Sequence, residues 1–377
     1  MQKINLKVLK SLLPTYYGFR FPLYLWGKPS SGKTSLIRQF AQAKAKELGL
    51  EYSEDEFGEG IFTMKVITLS QFDAPDLRGM PELIGEGIKR RTQFIPSKEL
   101  PREGQGIIFF DEMNLADDTV RAACYQYILE GRYSNVPPIK IKDKAGKEID
   151  AFWRVAASNT EQDYSGVNQT PLALLRRFCH YYIEPEVDEI VGYLLEHQKD
   201  PRVIAYLKNT PQDLFPAVWD ERLLDQKANP FPYTWELTST LIYGKQDPIE
   251  LSNLVSGCVG EAVAGRFVAF CKTIGKFDID KFIKNPKIEI EKISKDSERA
   301  SLLWAVISSL ASWWFQRAKK LTAEKVVEIA SLLTEQKQAE FAVAFLKMIL
   351  KKRTKELTDV GGFQKLLTDL GVYFDEV

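Results

Sequence analysis

Short apolar runs alternate with segments of helical periodicity through the first half of the chain. The runs are "FPLYLW" (residues 21–26), "IFTMKVITLS" (61–70), "GIIFFDEMN" (106–114), "FWRVAASNT" (152–160) and "HYYIEP" (180–185). Alternation of apolar strands and helices is typical of a parallel sheet that is covered by helices. The pattern therefore predicts an α/β domain over residues 1–185 with a five-stranded parallel sheet.

After residue 185 the strand-like runs stop and the pattern becomes helical. A proline-rich break, "KANPFPYTW", interrupts it at residues 227–235, and a stretch of mixed charge follows at 276–299. We therefore expect a helical domain at 186–272 and an all-helical C-terminal extension at 273–377. In that extension Trp304, Trp313 and Trp314 fall on or near one apolar helix face, which favours a buried core. The basic group Lys351, Lys352, Arg353 and Lys355 indicates a solvated helix end.

Composition narrows the class of protein. The 377 residues include 51 basic and 51 acidic side chains, so no global field favours nucleic acid or an anionic membrane. Four cysteines without a CxxC pair and only two histidines argue against a disulfide framework and a zinc site. The longest apolar stretch, residues 301–315, is shorter than the roughly 20 residues that span a bilayer, and the N-terminus lacks a signal-peptide cleavage site. We expect a cytoplasmic protein without a membrane span.

The stretch "GKPSSGKT" matches the phosphate-binding pattern G-x-x-x-x-G-K-[ST], with a predicted strand before it and a helix after it. Glycines let the backbone wrap phosphates, and amides at a helix N-terminus donate to them. Lys33 is expected to reach the β- and γ-phosphates, and Thr34 to ligate Mg²⁺. The predicted nucleotide-binding residues are Gly27, Lys28, Pro29, Ser30, Ser31, Gly32, Lys33, Thr34 and Ser35. The loop reads phosphates, so it does not by itself distinguish ATP from GTP.

A second part of such a site follows another predicted strand. Asp111 comes directly after the apolar residues of "IIFFDEMN", where the carboxylate that holds Mg²⁺ belongs. Glu112 comes next, and a carboxylate in this place is suited to polarise water for attack on the γ-phosphate. The sequence thus predicts a nucleoside triphosphate and Mg²⁺ as cofactors, Thr34 and Asp111 as metal ligands, and Glu112 as the general base.

In this order the parts resemble the AAA+ superfamily, and "FFDEMNLA" resembles its MoxR-type branch, which is related to midasin and dynein modules. "DAPDLRG" at residues 73–79 is similar to an element that precedes an inserted hairpin in that branch, and residues 80–103 are long enough for the hairpin. The resemblance implies that Asn159 is the sensor 1 residue, although an asparagine that ends a strand in a turn is an alternative. It also implies that Arg177, or less well Arg176, is the arginine finger; a solvated helix end is the alternative.

One position departs from the family pattern. MoxR-type proteins usually carry a sensor 2 arginine after a proline at the start of a lid helix, whereas "FPYTWEL" has Tyr233 in that place. A tyrosine can donate one hydrogen bond but brings no positive charge. The resemblance covers residues 1–272, with 186–272 as the lid, and the departure leaves open how the lid senses the γ-phosphate.

The resemblance implies an ATP-hydrolysing ring, most plausibly a homo-hexamer, because the arginine finger acts on the nucleotide of the next subunit. Such ATPases remodel or activate a client protein, commonly with a partner that contains a von Willebrand factor A domain. Two alternatives stay open at this point. The chain could belong to a nucleic-acid motor or restriction-type NTPase, or it could be a slow, nucleotide-gated scaffold. Lys89, Arg90 and Arg91 would suit a pore that takes DNA as well as one that takes a protein client.

Overall fold

A parallel sheet of seven strands lies in the first of two structural units, Met1–Glu186 and Val187–Val377. The structure is a computed structural model and describes residues 1–143, 145–159, 172–216, 227–275, 278–319, 321–350 and 352–371. The strands of the first unit are β1 (Lys3–Ile4), β2 (Leu23–Gly27), β3 (Glu51–Ser53), β4 (Ile61–Thr68), β5 (Met80–Ile84), β6 (Arg91–Ile95), β7 (Gln105–Asp111), β8 (Lys140–Lys142), β9 (Glu148–Asp150), β10 (Phe152–Ser158) and β11 (Cys179–Ile183).

The order of strands in the sheet is β1-β11-β2-β10-β7-β4-β3, and neighbouring strands pair in parallel. The five predicted strands are the five central ones, with bounds shifted by a few residues. The predicted count of five was wrong, because β1 and β3 extend the two edges. These edge strands have only two and three residues, too few to show a strand pattern, and they depend on pairing with the neighbouring strand.

Both faces of β2, β7 and β10 are buried, which is why their sequences read as continuous apolar runs. Tyr24 and Phe110 pack into one apolar cluster, while Leu25 and Phe109 pack into the other. Strand β7 approaches β4 closely at Gly106, where a Cβ atom would lie 1.9 Å from the carbonyl oxygen of Thr63. The glycine therefore permits the central pairing.

Helices cover this sheet, as the alternating pattern predicts. They are α1 (Leu6–Phe19), α2 (Lys33–Leu48), α3 (Ala74–Arg78), α4 (Asp118–Glu130) and α5 (Leu172–Leu175). Helix α2 begins after Gly32 and ends before Gly49, and both glycines have left-handed backbone conformations, with φ of 87° and 69°. Such conformations favour glycine at helix ends.

Strands β5 and β6 form an antiparallel hairpin, with Met80 opposite Ile95, in the segment predicted to contain one. Its large apolar side chains are exposed: Met80, Leu83, Ile88, Phe94 and Ile95. A second antiparallel hairpin, β8 with β9, lies between α4 and β10. This hairpin was not predicted from the sequence, because each of its strands has only three residues.

The described part of the second unit is helical throughout. Its helices are α6 (Val187–Glu196), α7 (Pro201–Asn209), α8 (Pro232–Leu241), α9 (Pro248–Val259), α10 (Glu261–Ile274), α11 (Ile279–Lys284), α12 (Pro286–Ser294), α13 (Arg299–Phe315), α14 (Ala323–Glu335), α15 (Ala339–Ile349), α16 (Thr354–Thr358) and α17 (Phe363–Asp369). One apolar cluster in this unit has members from Ile190 to Leu367. A domain boundary between residues 272 and 273 stays a prediction.

The tryptophans of α13 belong to this core, as predicted. Trp314 is fully buried, and Trp304 and Trp313 pack against the same cluster. The guanidinium carbon of Arg353 lies 3.9 Å from the Trp314 ring centroid, and Arg353 Nη1 donates to the Trp314 carbonyl oxygen at 3.0 Å. The prediction of a solvated basic end was therefore wrong for Arg353, because this side chain is stacked on a tryptophan and bonded to its backbone. Lys351 lies outside the described residues.

The longest apolar stretch of the sequence forms α13, a helix of 17 residues. Across the described ranges, no helix combines the length and the apolar character that crossing a membrane requires.

Candidate nucleotide site

The loop between β2 and α2 takes its shape from residues with unusual backbone conformations. Ser30 and Gly32 have φ of 58° and 87°, so the chain turns tightly before α2 begins at Lys33. At Gly27 a Cβ atom would lie 2.6 Å from the Ile183 carbonyl oxygen. The two glycines of the motif are therefore needed for different reasons: Gly32 permits the turn, and Gly27 lets β2 lie against β11.

Lys33 is the basic side chain of this loop and is only 7% exposed. Its Nζ donates to the carbonyl oxygens of Gly27 and Lys28, at 2.8 and 3.0 Å, and it lies 3.3 Å from both Ser31 Oγ and Asn159 Oδ1. The ammonium group is thus held inside the loop, among neutral acceptors. Because Asn159 follows β10, this contact brings two of the predicted site residues together.

A direct hydrogen bond also joins Thr34 and Asp111, two further predicted site residues. The Thr34 hydroxyl donates to Asp111 Oδ2 at 3.0 Å, and the Glu112 amide donates to Asp111 Oδ1 at 3.0 Å. Burial raises the pKa of the Asp111 carboxyl above its ordinary value, and these two donors together with the charge of Lys33 limit the rise. An ionised carboxylate in this position gains from a nearby cation.

Glu112, the predicted base, sits in a left-handed backbone conformation with φ of 53°. Such a φ is uncommon for a residue other than glycine and costs free energy. The Ser70 hydroxyl, which follows β4, donates to Glu112 Oε2. The turn after β7 therefore brings the Glu112 carboxylate to the end of the neighbouring strand β4.

The asparagine of the "DEMN" stretch has a structural role that the sequence analysis did not assign to it. Asn114 is 1% exposed; its Nδ2 donates to the Asn159 carbonyl oxygen at 2.7 Å, and its amide donates to Ser158 Oγ at 3.2 Å. Asn114 Oδ1 is buried without a hydrogen-bond partner among the described residues. A polar residue inside a buried run was the signal in the sequence, and the contacts of Asn114 tie the β7 loop to the β10 loop.

Arg176 and Arg177 follow α5, and both side chains are exposed. Arg177 Nη1 donates to the Tyr125 hydroxyl, and its guanidinium carbon lies 5.0 Å from the Tyr125 ring centroid. The predicted finger is therefore in contact with α4. The first two residues of "TPLALLRRF", 170 and 171, lie outside the described residues.

Tyr233 belongs to the second unit. It is the second residue of α8 and is 57% exposed, while its neighbour Trp235 is fully buried and donates to the Asp213 carbonyl oxygen at 2.8 Å. The prediction that Tyr233 replaces the sensor 2 arginine stays a prediction.

The donor set at Thr34 and Asp111 fits a magnesium ion. A hydroxyl and a carboxylate oxygen lie 3.0 Å apart, and Mg²⁺ in phosphate sites takes one or two protein oxygens while phosphates and waters fill the other positions. Among the residues that the structure describes, no group of three or more His, Cys, Asp or Glu side chains could hold a metal ion. A cation at this site would therefore depend on oxygen atoms of a bound ligand.

The matches of this chain to known proteins lie among solved structures. No family model matches the chain, and none of the curated proteins matches it. Among solved structures it is similar to a protein of Cytophaga hutchinsonii described as a "putative ATPase", with 12% sequence identity and a TM-score of 0.30. That match covers 98% of this chain and 90% of the other.

Proposed function

We propose that this chain is an ATP-binding and ATP-hydrolysing AAA+ ring ATPase of the MoxR type. The observation that carries the proposal is the convergence of three chain segments: Lys33 lies 3.3 Å from Asn159, and Thr34 donates to Asp111 at 3.0 Å. A phosphate loop, an acidic strand end and a polar strand end form one cluster at the carboxyl edge of a parallel sheet. Ligand sites of open α/β sheets lie at this edge.

Each residue in this cluster has a distinct task. The loop amides and Lys33 bind and orient the β- and γ-phosphates, and Thr34 with Asp111 would hold Mg²⁺. When bound, the ion neutralises charge that develops on the phosphate oxygens. Glu112 accepts the proton of the attacking water, and Asn159 orients that water by hydrogen bonding.

Arg177 is assigned to the site of a neighbouring subunit. Its planar, permanently charged guanidinium suits a phosphoryl group that gains charge during transfer, and its side chain is exposed. The assignment implies a closed ring, which we propose to be a homo-hexamer that remodels or activates a client protein, with a von Willebrand factor A domain protein as partner. It rests on the order of Lys33, Asp111, Asn159 and Arg177 in the sequence.

Steady-state ATPase assays with Mg²⁺ test the proposal. Glu112→Gln removes the base and should lower turnover by about 10²- to 10⁴-fold while ATP still binds. Lys33→Ala should weaken ATP binding itself. Glu59→Gln, an exposed carboxylate in the same unit, is the matched control and should keep the wild-type rate. Equal and negligible rates for the wild type and Glu112→Gln would refute hydrolysis and leave a nucleotide-gated scaffold.

A nucleic-acid motor is the second candidate, because one specific feature favours it. Lys89, Arg90 and Arg91 lie together at the turn and start of β6 in the hairpin, and all three side chains are exposed. Basic side chains on a protruding hairpin are suited to a phosphate backbone. Stimulation of the ATPase by DNA, with none by a client protein, would select this candidate and refute the remodelling function.

A further inference from the structure

A histidine outside the predicted site links two of its parts. His180 lies on β11, opposite Tyr24 of β2 in the strand register. Its Nδ1 accepts a hydrogen bond from Trp26 Nε1 at 3.0 Å, and its Nε2 lies 2.6 Å from the Leu175 carbonyl oxygen. An indole N–H only donates and a carbonyl only accepts, so the ring is neutral with its proton on Nε2. Both ring nitrogens are therefore used.

The two partners of His180 stand next to functional segments. Trp26 is the residue before Gly27, the first residue of the phosphate loop, and Leu175 is the last residue of α5, two positions before Arg177. One imidazole thus connects the strand that carries the loop to the turn that carries the predicted finger. The connection between Trp26 and Leu175 consists of one side chain and two hydrogen bonds.

Aromatic packing fixes the imidazole in this position. The Tyr24 and Trp26 rings stack with centroids 4.3 Å apart, and the His180 ring centroid lies 5.4 Å from that of Tyr24. Phe178, the residue after Arg177, also packs on Tyr24, at 5.2 Å. Rings held on several sides lose little further freedom when they form hydrogen bonds, so the link is preorganised.

The same cluster reaches the acidic side of the site. The Tyr24 hydroxyl lies 2.8 Å from Ser158 Oγ, and Ser158 Oγ also accepts the Asn114 amide at 3.2 Å. Polar contacts therefore run from the turn after Asp111 to Tyr24 on β2, and ring packing continues from Tyr24 to His180 on β11. A displacement of β2 acts on both ends of this arrangement.

We propose that His180 is a positioning residue that couples the phosphate loop of one subunit to the Arg177 that this subunit offers to its neighbour. The inference rests on the proposed ring ATPase and deepens it. Nucleotide in the loop moves Trp26, the imidazole transmits that movement to the Leu175 carbonyl, and the turn at Arg177 follows. The state of one site thereby sets the catalytic competence of the next.

Two single substitutions and their combination test the link. His180→Phe keeps an aromatic ring and removes both hydrogen bonds. Trp26→Phe also keeps an aromatic ring, although a smaller one, and removes the donor to Nδ1. We expect His180→Phe to lower kcat about tenfold, as small displacements of charge-stabilising groups do, with ATP affinity unchanged. Trp26→Phe should have a smaller effect in the same direction, and the double variant should be no worse than His180→Phe alone.

The matched control comes from the next residue of the same strand. Tyr181 points to the opposite face, where its hydroxyl lies 2.8 Å from the Tyr16 hydroxyl. Tyr181→Phe also removes a side-chain hydrogen bond from β11 and should leave kcat unchanged. An equal loss of kcat in Tyr181→Phe, or no loss in His180→Phe, would overturn the proposal. If His180→Phe does not fold, Trp26→Phe decides in its place.

A mixing experiment separates a positioning role from damage to the subunit's own site. Glu112→Gln subunits cannot hydrolyse ATP, but they carry intact His180 and Arg177. In equimolar mixtures, half of the His180→Phe sites meet an intact neighbour, so turnover per active site should rise about fivefold in a head-to-tail ring. Arg177→Ala subunits mixed in the same way should recover similarly.

The outcomes separate the role of His180 from the proposed ring mechanism. Recovery of both variants supports the proposal. Recovery of Arg177→Ala without recovery of His180→Phe overturns the role of His180 and leaves the ring ATPase intact. If Arg177→Ala itself gains nothing from its neighbours, the finger does not act between subunits, and the proposed ring mechanism fails together with the inference.

Discussion

Removal of the contact between Arg177 and Tyr125 is expected to speed up ATP hydrolysis. Arg177 Nη1 donates to the Tyr125 hydroxyl, and the guanidinium lies 5.0 Å from the ring centroid. Tyr125 is on α4 of the same subunit. If Arg177 serves the site of a neighbour, this contact must break before the arginine reaches the γ-phosphate. The contact therefore adds to the barrier, and its removal should raise kcat.

The size of the effect follows from the exposure of the pair. A net hydrogen bond contributes about 0.5–1.5 kcal/mol and an exposed cation–π contact about 0.5–1 kcal/mol. The Arg177 side chain is exposed, so water competes for both contacts and a sum near 1 kcal/mol is reasonable. That energy corresponds to about fivefold in rate at 25 °C. The hydroxyl alone accounts for about half of it, or roughly twofold.

Steady-state ATPase rates of two variants measure this effect. Tyr125→Leu removes both the hydroxyl and the ring and should raise kcat about fivefold, while Tyr125→Phe should raise it about twofold, with KM unchanged in both. Tyr16→Phe, which removes a tyrosine hydroxyl elsewhere in the unit, is the control and should match the wild type. A lower kcat in Tyr125→Phe would refute the reasoning, because it would mean that Tyr125 holds Arg177 in its working position.

Two further predictions concern the loop and the second unit. Gly32→Ala places a Cβ atom at φ of 87° and 3.2 Å from an α1 side chain, so calorimetry should show ATP binding weakened about tenfold. Gly49→Ala, at φ of 69° with open space around it, is the control and should bind ATP normally. Equal ATP binding by both variants would contradict this prediction. Asp213→Ala removes a buried carboxylate that accepts from Arg266 at 2.7 and 2.9 Å and from the Tyr206 hydroxyl. Because the Arg266 side chain is 51% exposed, we expect a loss of about 3 kcal/mol in unfolding free energy rather than more; an unchanged urea midpoint would show that the network contributes little.

The central part of the candidate site could be predicted from the sequence for a geometric reason. Lys33 and Asn159 follow strands of the same parallel sheet and Asp111 ends another, and the carboxyl ends of parallel strands meet at one edge. A motif that fixes the place of each residue at a strand end therefore also predicts which residues meet. The contacts at 3.0 Å between Thr34 and Asp111 and at 3.3 Å between Lys33 and Asn159 agree with that expectation.

The contacts that depend on strand register could not be predicted from the sequence in this way. Trp26 and His180 are separated by 154 positions, and no local pattern shows that β11 lies beside β2 with His180 opposite Tyr24. The same holds for Tyr125 and Arg177, whose contact depends on how α4 packs beside the turn after α5. Edge strands β1 and β3 were missed because long-range pairing, and not their own composition, defines them.

The register of β2 and β11 also changes the meaning of Gly27. In a phosphate loop this glycine is understood as a residue that lets the backbone wrap a ligand. Here a Cβ atom at Gly27 would also lie 2.6 Å from the Ile183 carbonyl oxygen, three residues beyond His180 on β11. A side chain at Gly27 would push β11 away from β2 and stretch the hydrogen bond between Trp26 and His180. Gly27 therefore has a packing reason beside its predicted role in the phosphate loop, and a substitution there should disturb both the loop and the proposed link to Arg177.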